Sequence, residues 1–430
     1  MTATLGVILL LVFFIIIFSG MSVGIGLLLF GIIYMMIAGD IPIIIVAQRM
    51  IAGVDSQALL VLPFFLMTAE IMNNGGVTKR LVGFADAAIG WLPGGLGLVV
   101  MASSMMFAAM TGSAIATVVT IGTMLLPSML EAGYSKVFAA SIIAAASIMG
   151  PIIPPSAAMV LYGITANVSV GKLLASGILP GIIMGLALMA YIILVAKKKN
   201  LPRSERKGRK ELFASFIRAL PSLFLPIILF SCIYGGVATV TEAAVISVFY
   251  SLGLNLFVYK EFSLSKLPEL IYKAGKASSG IFLIIAGGSV VSWIVTREQL
   301  PQTIVHFFVS ISSNPTVVFF SLCVFLLILG CFMDNIPAII ILAPIFTQLA
   351  LELGYDPVHF GAVVVYTLLL GLITPPIGMV LFVTSDIAQI DTALLAKDIF
   401  PFLVLFILIG VALILIPSIT LFVPNLLIGN

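Results

Sequence analysis

Two interruptions in an otherwise apolar chain carry the residues whose types and spacing suit ion and solute chemistry. The first is Thr111-Gly112-Ser113-Ala114, followed downstream by Gly150-Pro151-Ile152-Ile153-Pro154-Pro155-Ser156. The second is Met333-Asp334-Asn335-Ile336-Pro337, followed by Gly371-Leu372-Ile373-Thr374-Pro375-Pro376-Ile377-Gly378. Proline has no N–H and clashes with the preceding turn, so adjacent prolines unwind a helix and free the carbonyls of that turn. Left alone in lipid, each freed group costs on the order of several kcal/mol. A sodium ion takes several oxygen ligands and needs no charged cage. Freed carbonyls, with the hydroxyls of Ser113, Ser156 and Thr374, meet that need. The N-terminal ends of the half-helices meanwhile turn free N–H groups and positive dipole ends toward an anion.

A single diproline can be a simple kink. Two of them at one offset, each following an apolar segment with a polar centre, favour a binding site. Asp334 adds weight, because an ionisable side chain deep in apolar sequence is costly and reads first as functional. Its structural alternative is a cap on the following helix, and the two roles are compatible. Ser103 and Ser104 are further candidates, against the alternative that such serines bond back to their own helix.

These segments require membrane helices to hold them. Of the 430 residues, 62% are hydrophobic and 9% charged, and the mean hydropathy is +1.29. A soluble domain is about half apolar and about a quarter charged. The apolar runs do not alternate, so they are helices and not barrel strands. Spans are predicted near 5–19, 21–39, 56–74, 136–168, 172–196, 212–234, 240–259, 277–296, 357–388 and 394–424. The stretches 95–129 and 315–350 are each about 35 residues of apolar chain with a polar break near the middle, and two full crossings joined at that depth would leave the turn's backbone unsatisfied in lipid. They read as re-entrant hairpins whose tips are buried in protein. Short amphipathic pieces near 41–53, 79–90, 261–275 and 299–311 are expected along the interface.

The chain repeats itself. Leu130-Glu131-x-Gly133-Tyr134-x-x-Val137 returns as Leu351-Glu352-x-Gly354-Tyr355-x-x-Val358, and Gly150-x-Ile152-x-Pro154-Pro155 returns as Gly371-x-Ile373-x-Pro375-Pro376. Pro180 returns as Pro401, and every pair keeps one offset of 221 residues. The halves are therefore 1–196 and 212–430, joined by a polar linker at 197–211. Lys197 to Lys210 holds eight Lys/Arg and one Glu, which reads as a cytoplasmic loop under the positive-inside rule and not as a nucleic-acid patch. Five crossings plus one hairpin per half make the halves inverted, with both termini periplasmic. On that topology only Arg49, Lys172 and Arg297 of the 20 Lys/Arg fall on the periplasmic side.

Other features are read more plainly. Cys232, Cys323 and Cys331 lie in apolar stretches without metal-ligand spacing and read as buried thiols. Glu242 after Thr239-Val240-Thr241 reads as a first-turn cap. His306 and His359 offer at most a proton relay. No phosphate loop, HExxH or serine–histidine pairing is present, which excludes direct ATP drive in this chain and leaves no enzyme constellation.

At these residues the chain resembles the large membrane subunit (M or DctM type) of the TRAP, or tripartite ATP-independent periplasmic, transporters. The carrying motifs are Gly112-Ser113-Ala114-x-x-Thr117, Gly133-Tyr134, Gly150-Pro151-Ile152-Ile153-Pro154-Pro155-Ser156, Thr241-Glu242-Ala243-Ala244, Met333-Asp334 and Thr374-Pro375-Pro376. Val240 stands where proline is common in that family, a departure confined to the local turn. The resemblance implies an all-α polytopic bacterial inner-membrane protein working as an elevator-type sodium symporter. It also implies a small four-helix membrane subunit, expected here as a separate chain, and a periplasmic substrate-binding protein. The implied solute is a small carboxylate of the C4-dicarboxylate or sialic acid kind.

The expected substrate contacts are Ser113, Ser156, Asp334 and Asn335. About two sodium sites are expected, drawing on Ser103, Thr111, Gly112, Ser113, Gly150, Ile153, Pro154, Ser156, Met333, Asp334, Gly371, Thr374, Pro376 and Gly378, with no organic cofactor. A channel, and a membrane-embedded enzyme or scaffold, are the alternative readings. A channel would not accumulate solute against its gradient, and an enzyme or scaffold would act without sodium coupling.

Overall fold

The computed structural model describes residues 21–39, 41–199, 201–299, 302, 303, 308, 310 and 312–429. The span predicted at 5–19 lies outside the described residues, as do His306 and most of the piece predicted at 299–311. Among the described residues every regular element is helical. Seven helices are long and apolar enough to cross a bilayer, or up to ten if each of three bent pairs is one span.

The first group of helices forms a frame. It comprises α1 (Val23–Ala38), α2 (Ile44–Val54), α3 (Val61–Asn74) and α4 (Val77–Ile89). The first hairpin follows as α5 (Gly95–Thr111) and α6 (Ala114–Glu131). The first broken helix is α7 (Lys136–Ser147) and α8 (Ala157–Thr165), and α9 (Val170–Ser176) and α10 (Ile178–Lys199) complete the first half. The second half supplies further frame helices, α11 (Arg209–Tyr234), α12 (Val240–Gly253) and α13 (Leu267–Arg297). Its hairpin is α14 (Pro315–Phe332) and α15 (Asn335–Glu352), and its broken helix is α16 (Pro357–Gly371) and α17 (Met379–Ala388). The chain closes with α18 (Thr392–Asp398), α19 (Phe400–Leu415) and α20 (Ser418–Ile428).

One element departs from expectation. The interfacial piece near 261–275 and the span near 277–296 are a single helix, α13, of 31 residues. Pro268 sits at its start, where a missing N–H costs nothing, and no proline interrupts the remaining turns. At 1.5 Å per residue it extends about 46 Å, well beyond a hydrocarbon core of about 30 Å. It therefore cannot lie wholly within the apolar slab.

One continuous buried core joins most of the frame to the hairpins, and α1, α2 and part of α13 form a smaller core of their own. α13 packs along α1, α2 and α3, and α12 packs on α3 and α11. The hairpins and broken helices form the second group. At its heart, α16 is buried at every position from Val358 to Gly371, and α7 is buried from Phe138 to Ser147. A helix that is apolar on all sides and buried on all sides is central. The packing is reciprocal: α6 of the first hairpin lies against α17 of the second broken helix, and α15 of the second hairpin lies against α8 of the first.

The two turns that follow the hairpins share one hydrogen-bond pattern. Tyr134 N donates to Met129 O and Tyr355 N to Ala350 O, while Gly133 N donates to Leu130 O and Gly354 N to Leu351 O. Both glycines are left-handed, with φ of 87° and 74°. The linker is tied down as well. Lys207 pairs with Asp86 at 2.8 Å, the Ser204 backbone N–H donates to Gly90 O at 3.1 Å, and Arg206 lies over Trp91.

Candidate functional site

The first hairpin turns over two residues. Gly112 ends α5 with φ 60°, and its N–H donates to Ala108 O at 3.0 Å. Ser113 is extended, and its Oγ accepts from Ala116 N at 3.3 Å, which caps α6. The Ser113 carbonyl accepts from both the N–H and the hydroxyl of Thr117, at 3.1 and 2.7 Å. Thr111 returns its hydroxyl to Phe107 O at 3.3 Å.

This tip is pressed against the first diproline segment. A β-carbon on Gly112 would stand 2.2 Å from Pro155 O, and one on Gly150 would stand 2.7 Å from Ser113 O. Ser156, fully buried, caps α8 by accepting from Met159 N at 3.1 Å and donates its own proton to Pro151 O. Thr111, Gly112, Ser113, Gly150, Pro154 and Ser156 are thus brought together around one interruption, with Ile153 half-buried beside them.

The second half repeats the plan with different residues. Met333 and Asp334 form the break, and Asp334 Oδ1 accepts from Asn335 N at 2.7 Å, so the capping role holds. Gly378 N donates to Cys331 O at 3.3 Å. A β-carbon on Gly371 would meet the Gly330 carbonyl carbon at 2.3 Å. Thr374 donates to Leu370 O at 2.7 Å and keeps its oxygen lone pairs. Both Pro154-Pro155 and Pro375-Pro376 are joined by cis peptide bonds.

Unwinding leaves carbonyls without partners in both halves. Among the described residues, those of Gly150, Ile152, Ile153, Pro154 and Pro155 accept no hydrogen bond, nor do those of Ile373, Thr374, Pro375, Pro376 and Ile377. Buried carbonyls are normally paired, so the run in the buried first segment calls for a partner from outside the chain. Sequence reasoning named Gly150, Ile153, Pro154, Thr374 and Pro376. It passed over Ile152, Pro155, Ile373, Pro375 and Ile377, although all but Ile373 adjoin a proline that removes a donor. The two runs differ in access: Pro154, Pro155 and Ser156 are buried, whereas Pro375, Pro376 and Ile377 are exposed.

Three candidates stand apart. Ser103 and Ser104 are buried, and neither hydroxyl has a partner. The expected back-bond to their own helix is not made. No hydrogen bond joins Ser103 to either interruption among the described residues, and Asn335, inside the second one, is held there by its backbone N–H on Asp334 and not by its side chain. His359 is fully buried with Nδ1 2.7 Å from Thr420 Oγ1, remote in sequence from both interruptions. Glu242 forms a reciprocal capping box with Thr239, as expected.

Known proteins resemble this chain along nearly its whole length. Residues 10–419 match the family model described as tripartite ATP-independent periplasmic transporter, DctM component. The sialic acid TRAP transporter large permease SiaM of Vibrio cholerae is 35% identical over 412 residues, covering 96% of each chain. The C4-dicarboxylate large permease DctM of Pseudomonas aeruginosa is 38% identical over 371 residues, covering 86% of this chain and 87% of its own. Among solved structures, the YdaH transporter of Alcanivorax borkumensis superposes with a TM-score of 0.64 at 14% identity, over 86% of each chain, a likeness of fold alone. A multi-pass helical body with paired unwound segments, matched along nearly its whole length by transporter permeases and by no enzyme among those compared, belongs to the DctM family of large TRAP transporter permeases.

Proposed function

We propose that this permease drives uptake of a small carboxylate solute with a sodium gradient, across a bacterial inner membrane. The observation that carries the reading is the pair of unpartnered carbonyl sets, 150 with 152–155 and 373–377, each beside a hairpin tip with a capping oxygen. Sodium takes carbonyl and hydroxyl oxygens without a carboxylate cage, and each run supplies several within one turn of unwound chain. Ser103, Thr111, Gly112, Ser113, Gly150, Ile153, Pro154 and Ser156 surround one cation, and Met333, Asp334, Gly371, Thr374, Pro376 and Gly378 the other. The solute lies between them, met by Ser113, Ser156, Asp334 and Asn335 and by the N-terminal ends of α6, α8 and α15.

The halves 1–196 and 212–430 are read as inverted, with both termini periplasmic and the 197–211 linker cytoplasmic. The body of hairpins and broken helices then moves against the frame of α1–α4 and α11–α13, as inverted-repeat carriers do. Relatives carry sialic acid or C4-dicarboxylates by name, and both are carboxylates. A small four-helix membrane subunit and a periplasmic binding protein complete the system, in keeping with the tripartite description of the family.

The test is uptake by proteoliposomes holding the permease and its partners, with a panel of N-acetylneuraminate and C4-dicarboxylates. Accumulation above equilibrium under an inward sodium gradient, abolished when potassium replaces sodium, is the expected result. Solute that only equilibrates would refute coupling and favour a channel.

A further inference from the structure

A cavity of about 560 Å³ opens between the frame and the hairpin body, away from both diproline segments. Its frame wall is built from α2 and α13. Ser289, Ser292 and Thr296 line it from one face of α13, at helical spacing. Its opposite wall belongs to the other body and includes Thr165, Ile340 and Pro344. Ile340 lies six residues beyond Asp334 on the same helix, about 9 Å along the axis. One wall of the cavity therefore belongs to the helix that Asp334 caps. Its volume falls within the range of small-molecule sites, about 300–1,000 Å³.

The charge in this cavity is specific. Arg49 projects from α2 with its guanidinium 5.5 Å from the Trp293 ring centroid. A guanidinium stacked on an aromatic face keeps its N–H edge free for a planar anion. Among the described residues Arg49 has no carboxylate partner and makes no hydrogen bond. Arg297, also near Trp293, is by contrast engaged with the Tyr34 hydroxyl, which itself donates to Glu298. The hydroxyls of Ser289 and Ser292 also lack partners among the described residues, and neither residue is fully buried. One uncompensated fork of donors and two idle hydroxyls thus converge on a concave space, where a local field is strongest. The bodies meet tightly beside it: a β-carbon on Gly288 would stand 2.3 Å from Ile340 Cγ2.

We propose that this cavity is a receiving subsite, in which Arg49, Ser289 and Ser292 hold the carboxylate of an incoming solute on the frame before the hairpin body takes it. The Arg49 fork accepts the carboxylate edge-on through paired N–H donors, and Ser289 and Ser292 donate to its remaining lone pairs or to a solute hydroxyl. The subsite rests on the reading of the chain as a carboxylate carrier. It differs from the sodium sites in belonging to the frame, so its loss should spare sodium affinity.

Two measurements test it. In a Trp91→Phe background, Trp293 is the only tryptophan, and its fluorescence in detergent micelles is quenched with iodide and separately with neutral acrylamide. Arg49→Gln is expected to cut iodide quenching roughly three- to four-fold, the effect of one unit charge 5.5 Å away in water, with acrylamide quenching unchanged. Succinate or N-acetylneuraminate should protect Trp293 from iodide in the parent and not in Arg49→Gln. In proteoliposomes with the partner subunits, Arg49→Gln should raise the KM for the carboxylate about tenfold with kcat and the sodium KM retained, and Arg49→Lys should restore part of it. Equal iodide quenching in parent and variant would overturn the subsite even where sodium-driven uptake stands. An unchanged carboxylate KM, or a matching loss of sodium affinity, would overturn it too. If the parent carries no carboxylate at all, the transport reading fails, and loss of succinate protection in Arg49→Gln alone still supports an anion subsite.

Discussion

Substituting alanine at Gly112 and at Gly133 separates backbone strain from site geometry. Both glycines are left-handed, with φ of 60° and 87°. Either alanine therefore brings the left-handed penalty of roughly 1–2 kcal/mol. The surroundings differ. A β-carbon at Gly133 meets nothing within 4 Å, whereas one at Gly112 stands 2.2 Å from Pro155 O, a backbone atom that cannot swing aside. Gly112→Ala must then push the hairpin tip off the unwound segment. Both variants should lose thermal stability in detergent, Gly112→Ala the more by the cost of that displacement. Only Gly112→Ala should also weaken sodium-dependent uptake, and a displacement costing a further 1–2 kcal/mol corresponds to a roughly 5–30-fold rise in the sodium KM. The assay is initial uptake rate against sodium concentration in proteoliposomes, paired with a melting curve for each variant. If Gly112→Ala keeps the parent sodium KM, or Gly133→Ala raises it equally, the tip does not shape a cation site.

Asp334→Asn keeps an oxygen to cap α15 while Asp334→Ala removes it, so only the alanine should lose about 1 kcal/mol of stability. If the carboxylate also serves ions or solute, uptake falls in both, whereas uptake retained in the asparagine variant would limit Asp334 to capping. Ser103→Ala removes a buried hydroxyl without a partner, so the sodium-free melting temperature should hold or rise; a raised sodium KM would mark Ser103 as a ligand, and an unchanged one would remove it from the set. Tyr366 donates to Phe406 O at 2.7 Å in full burial, and Tyr366→Phe should cost about 0.5–1.5 kcal/mol by removing a hydrogen bond to a carbonyl that stays in its helix ladder, seen as a lower melting temperature. The Lys207 ammonium is held above the ordinary lysine range, chiefly by its hydrogen bond to Asp86. Its stabilising contribution is therefore complete below the ordinary lysine value and is lost only as pH rises through the elevated one. Asp86→Asn should speed tryptic cleavage after Arg206 at neutral pH, and an unchanged cleavage rate would show that the tie does not restrain the linker.

The positions of the two interruptions were legible because proline and glycine act locally. A diproline unwinds a helix whatever surrounds it, and Gly112-Ser113 and Met333-Asp334 end one helix and cap the next by short-range bonds alone. The capping box at Thr239 and Glu242 was legible for the same reason. What the sequence did not disclose depends on contacts distant along the chain. The continuity of α13 follows from its packing on three frame helices, which outweighs the polar stretch that suggested a separate interfacial piece. The idle hydroxyls of Ser103 and Ser104 are likewise invisible to local rules, since a serine in a helix ordinarily finds its own backbone. Arg49 served in the sequence only to mark a membrane face. Its stacking on Trp293 joins residues far apart in the chain and has no local signature.

The cross-wise seating of each hairpin on the opposite half bears on biogenesis. α6 ends at Glu131, and its counterpart α17 begins only at Met379, about 250 residues later. At synthesis rates of about 5–20 residues per second, the nascent first hairpin waits roughly 10–50 s for the surface it finally covers. During that interval its flank is open to lipid, to the insertion machinery or to a neighbouring copy. A gene cut at the linker should therefore yield fragments that mature only when they are made together, and neither alone.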